Sequence, residues 1–97
     1  MGSERAREYV AECFWPDVRE PDLEELDARV TRVAARLEGG GKPVRYLGSL
    51  LMRSDEVVLC FFQGSERAVR KVAEDAQVPF ERLVEAARSP WAKTVKR

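Results

Sequence analysis

The sequence predicts an α+β domain with the element order β-α-β-β-α-β, and three observations predict it. Residues 9–15, 44–52, 57–62 and 80–86 carry Val, Leu and aromatic residues in runs of strand length. Residues 21–38 and 65–77 space their apolar side chains at three and four, as one face of a helix does. Glycine and proline punctuate the joins at Pro16, Gly39-Gly40-Gly41, Pro43, Gly64 and Pro79.

The first strand, 9–15, stops at Pro16-Asp17. From Pro21, Leu23, Leu26, Val30, Val33 and Leu37 stack on one helix face. Asp22, Glu24 and Glu25 lie in the first turn and Arg32 and Arg36 near the end, which complements the helix dipole. The three glycines stop that helix; following a helix and preceding a strand, they reverse the order of a phosphate loop. Residues 44–52 form a second strand, apolar on both parities except at Arg45 and Ser49. Arg53-Ser54-Asp55-Glu56 is a polar turn, and 57–62 is an almost unbroken run of Val, Leu, Cys and Phe. Such a run predicts a central strand covered on both faces.

Ser65 is placed to cap the second helix, whose stripe of Ala68, Val69, Val72, Ala73 and Ala76 is small enough to lie close to a sheet. Val78-Pro79 ends it. In the fourth strand Phe80, Arg82 and Val84 alternate with Glu81, Leu83 and Glu85. The resulting order is the ferredoxin-like split βαβ, a four-stranded antiparallel sheet with both helices on one face. Residues 1–87 make this single domain and 88–97 a basic tail with four positive charges around Ser89-Pro90-Trp91. The tail is read as a terminus that is disordered or draped on a partner.

The helices leave one sheet face uncovered, yet Val57, Leu59 and Phe61 on one parity and Val58, Cys60 and Phe62 on the other are all apolar. A second copy packed sheet to sheet about a two-fold axis covers that face, in the dimeric α+β barrel manner, and leaves room for a cavity. Composition agrees: 11 of the 43 apolar residues are alanine, so a chain of 97 residues has a thin core and gains from self-association.

Seventeen basic and 17 acidic residues balance, which argues against a nucleic-acid or membrane partner, and 13 Arg to 4 Lys with no Ile or Asn reads as GC-rich coding. No apolar run reaches the length of a membrane span, and the charged start lacks a signal-peptide core, so a cytoplasmic protein is expected. There Cys13 and Cys60 are reduced thiols, and their 47-residue spacing without histidine is no zinc pattern. No metal site and no cofactor are expected.

The run Tyr9-Val10-Ala11-Glu12-Cys13-Phe14-Trp15, the hairpin from Val44-Arg45-Tyr46-Leu47 to Val57-Val58-Leu59-Cys60, and the Val78-Pro79 break before the last strand resemble small actinobacterial proteins of the nickel-binding-protein-like family of unknown function. The resemblance spans residues 8–86. It implies a ferredoxin-like, dimeric protein, some of whose relatives bind a transition metal. Those proteins commonly carry a histidine near the end of the second helix, where this chain has Glu74-Asp75-Ala76-Gln77, so imidazole ligation of nickel does not carry over.

Glu12 is the candidate catalytic residue, because it interrupts an apolar strand that the topology makes central. Facing an inter-sheet cavity, desolvation raises its pKa and makes it a general acid or base; paired with an arginine such as Arg45, it is structural. Trp15, Tyr46, Phe61 and Met52 are either lining for an apolar or aromatic ligand, with Arg45 beside them, or plain core and dimer contacts. Cys13 and Cys60, on neighbouring strands, read as inert core thiols. The expected function is a small-ligand-binding homodimer with Glu12 and Tyr46 orienting the ligand. The alternatives are a cofactor-independent cyclase, isomerase or oxygenase of secondary metabolism, and a transition-metal-binding protein using carboxylates with Cys13 or Cys60.

Overall fold

Alternating apolar residues and two capped amphipathic stretches assemble as β1 (Arg7–Phe14), α1 (Glu20–Glu38), β2 (Arg45–Met52), a 3-10 turn (Arg53–Asp55), β3 (Val57–Gly64), α2 (Glu66–Asp75) and β4 (Arg82–Ala86). The computed structural model describes residues 7–38, 40–41 and 43–87, so the basic segment 88–97 with Trp91 lies outside the described residues. The four strands form one antiparallel sheet in the order β2-β3-β1-β4, the ferredoxin-like arrangement.

Pairing moves the strand ends away from where hydropathy alone puts them. β1 reaches back to Arg7 and β3 on to Gly64 because those residues face each other across the ladder. β4 starts at Arg82 rather than Phe80, since the Phe80 N–H turns back onto the Val78 carbonyl at 2.8 Å and the Glu81 N–H donates to the Glu12 carbonyl at 2.8 Å.

α1 begins with one half of a capping box, in which the Asp22 carboxylate accepts the Arg19 N–H at 2.9 Å. It ends where the Gly41 N–H closes onto the Glu38 carbonyl at 3.0 Å; Gly41 sits at φ +84°, which a side chain would resist. Ser65 caps α2 by accepting the Ala68 N–H at 3.2 Å. The two helices are tied together by Arg29, whose Nε donates to the Ala76 carbonyl at 2.6 Å, placing a cation at the C-terminal end of α2.

Both helices pack on one face of the sheet. Leu26, Val30, Val33 and Ala34 of α1 and Ala68, Val69, Val72 and Ala73 of α2 are buried against Tyr9, Ala11 and Cys13 of β1 and Val58, Cys60 and Phe62 of β3. Leu23 and Leu37 flank this cluster half-buried.

Candidate functional site

β3 states the contrast between the faces within one strand: Val58, Cys60 and Phe62 are fully buried under the helices, while Val57, Leu59 and Phe61 stay half-buried on the other side. Among the described residues no element covers that other side. The pairing register lays it out in rows: Met52, Val57 and Phe14; then Leu50, Leu59, Glu12 and Arg82; then Gly48, Phe61, Val10 and Val84; then Arg45, Gln63, Glu8 and Ala86. Phe14 and Leu50 expose about half of their surface, at 52% and 50%. Exposed apolar area of this kind marks candidate interaction surfaces.

Glu12 sits within the patch, on β1 between Phe14 and Val10 and beside Leu59, and is partly exposed. Arg82 Nε donates to its Oε1 at 2.7 Å and a second guanidinium nitrogen lies 3.4 Å from Oε2. That hydrogen bond, aided by the charge of Arg82, holds the Glu12 carboxyl below its ordinary value of 4.5, and Glu12 in turn raises the guanidinium. The partner comes from β4, directly across the ladder, and not from Arg45, which lies on the far edge strand.

The five proposed ligand contacts divide between two faces. Phe61, Met52 and Arg45 share the open face with Glu12, whereas Tyr46 pairs with Phe62 and points to the helices. Trp15, just past β1, packs against the core and its backbone N–H donates to the Glu56 carbonyl at 2.8 Å. Glu12 and Tyr46 therefore cannot orient one ligand from the same side within a single chain. The cause is a bulge between Tyr46 and Gly48, with Gly48 at φ +116°. Strict alternation would place Tyr46 beside Leu50 and Met52; one extra residue at Leu47 sends Tyr46 to the helix side and brings Arg45 to the open side.

The same bulge assembles a polar tether that alternation conceals. Tyr46 and Ser49, three apart in sequence, now share a face, and both hydroxyls donate to Asp27 Oδ1 of α1, at 2.6 and 2.9 Å. Burial, with the nearby Cys60 and Asp27, pushes the Tyr46 hydroxyl far above its ordinary range, so it stays a donor. Tyr46 also packs on Phe62 with ring centroids 5.1 Å apart.

Cys13 and Cys60 meet beneath the helices, both free and fully buried. Their mutual hydrogen bond, together with burial, pushes the Cys13 thiol well above the usual thiol range. Among the described residues no group of three or more His, Cys, Asp or Glu side chains converges on a common point. With the thiols enclosed and no histidine in the chain, these donors do not fit the transition metal that the resemblance implies. A solvent-open cleft of about 340 Å³ lies at the charged end of the sheet, lined by Glu38, Pro43, Val44, Arg45, Gln63 and Gly64.

Comparison with known proteins finds no matching family model and no matching curated protein. Among solved structures, SCO4226 from Streptomyces coelicolor A3(2) superposes with a TM-score of 0.69 at 15% identity, over 84% of this chain and 98% of that one. At that identity the likeness is one of fold, that of a small α+β domain, over nearly the whole of the other chain.

Proposed function

We propose that this chain works as a cytoplasmic homodimer that holds a small apolar or aromatic ligand between its sheet and that of its partner, and that it belongs with the small actinobacterial proteins its strands resemble. The observation that carries the reading is the uncovered face, where Leu50, Leu59, Phe61 and Val10 form an apolar surface around the Glu12–Arg82 pair, with Arg45 at its edge. Apolar area with a few polar groups placed in it is the general form of a small-molecule site. The fold likeness to SCO4226 supports a domain of this shape and says nothing of the ligand.

Glu12 enters this reading as an orienting carboxylate. A group held ionised by Arg82 is a weak proton donor near neutrality, so the geometry favours binding over acid catalysis. Native mass spectrometry of the purified protein tests the proposal directly. The expected spectrum shows twice the 11.0 kDa chain mass, with added mass from retained ligand in part of the population. A bare monomer at every micromolar concentration would overturn it.

A further inference from the structure

We propose that the ligand on the open face is a neutral molecule, apolar or aromatic in its body, whose carbonyl-type oxygen accepts hydrogen bonds from the guanidinium of Arg82. This rests on the ligand-holding reading above and adds the chemical class of the ligand. The argument starts from the five N–H groups that an arginine carries. Nε of Arg82 donates to Glu12 Oε1 at 2.7 Å and one terminal nitrogen donates to Oε2 at 3.4 Å, which accounts for two of them. The remaining N–H groups meet no acceptor among the described residues. In the single chain water serves them, since the Arg82 side chain is 68% exposed. Between two sheets that water is displaced, and a donor enclosed without an acceptor is costly. An acceptor oxygen on the ligand meets that demand.

Glu12 acts here through Arg82: its two contacts hold the guanidinium in one plane, so the unused N–H groups are preorganised. Val84 follows Arg82 on the same side of β4, and Val10 and Phe61 complete its row. That row, next to Arg82, seats an apolar body. Charge then selects a neutral molecule. The charged side chains in the rows of this face, Arg82 and Arg45 against Glu12 and Glu8, cancel. A ligand carboxylate would bring an uncompensated charge between the sheets, and a ligand ammonium would face the guanidinium; a ketone, quinone or lactone oxygen does neither.

Three probes of one outline test this: 2-acetylnaphthalene, 2-isopropylnaphthalene, which lacks the oxygen, and 2-naphthoate, which carries it as an anion. Affinities are read by equilibrium dialysis at concentrations where wild type and variants are dimeric. The reference variant is Glu12→Gln, whose amide oxygen still accepts from Arg82 and which leaves no carboxylate stranded when Arg82 is then changed. Adding Arg82→Met should weaken acetylnaphthalene about tenfold and leave isopropylnaphthalene within about twofold. The wild type should bind the ketone more tightly than the naphthoate. Equal losses of ketone and hydrocarbon, or no loss of either, would overturn the Arg82 contact, and naphthoate bound more tightly than the ketone would overturn the neutral class. Both results leave the dimeric ligand site standing. A dimer that takes none of the three probes, or a monomeric wild type, sinks the reading on which the proposal rests.

Discussion

The two faces of the sheet are built from the same strands and nearly the same residue types, yet they meet different ends. On the helix side, Phe62, Cys60 and Val58 are fully enclosed by the Ala and Val stripe of α2 and by Leu26, Val30 and Val33 of α1. On the other side their immediate neighbours Phe61, Leu59 and Val57 are left half in water. The difference teaches that hydropathy states a demand for cover, while the number of helices decides how much of it one chain can meet. Among the described residues there are two helices, and both lie on one face.

The largest expected effect separates adjacent residues on the two faces. Phe62→Ala should cost about 3 to 5 kcal/mol of folding stability by urea titration, since it empties a fully enclosed site. Phe61→Ala in dilute, dissociated protein should cost below about 1 kcal/mol. Equal losses would break the contrast between the faces.

Next comes the tether on the covered side. Asp27→Ala strands the Tyr46 and Ser49 hydroxyls and should cost about 1 to 3 kcal/mol, against about 1 kcal/mol for Tyr46→Phe, both by thermal or urea unfolding. If Asp27→Ala left stability unchanged, the three residues would not be holding α1 on β2.

The smallest effect belongs to the open side. The folded-state pKa of Glu12 lies below 4.5, so the stability it contributes is fully present above that value and is lost as pH falls through the lower, folded-state pKa. In dilute, dissociated protein Glu12→Gln should remove that acid-side dependence from the urea midpoint and change little near neutrality, because both partners sit in solvent in the single chain. An unaltered acid limb would show that Arg82 does not hold the carboxylate.

Element order, helix stripes and the Ser65 cap were legible in the sequence because each depends on residues close in the chain. The apolar run 57–62 also announced a central strand with two apolar faces. What alternation could not show was the bulge at Leu47, since nothing local to Arg45-Tyr46-Leu47-Gly48 marks an inserted residue except the glycine, and that single shift exchanged the faces of Tyr46 and Arg45. Arg82 as the partner of Glu12 was equally hidden. It follows from which strand lies beside β1, a contact across 70 residues of sequence that no local pattern encodes.

The central claim is that the uncovered face is covered by a second copy of this chain. Sedimentation velocity of the wild type beside Leu59→Asp tests it most directly, because Leu59 lies at the centre of that face and outside the helix-covered core. The account predicts a wild type at twice the 11.0 kDa chain mass across the micromolar range and a folded, monomeric Leu59→Asp. A wild type that sediments as a monomer, or a variant that stays dimeric, would contradict it.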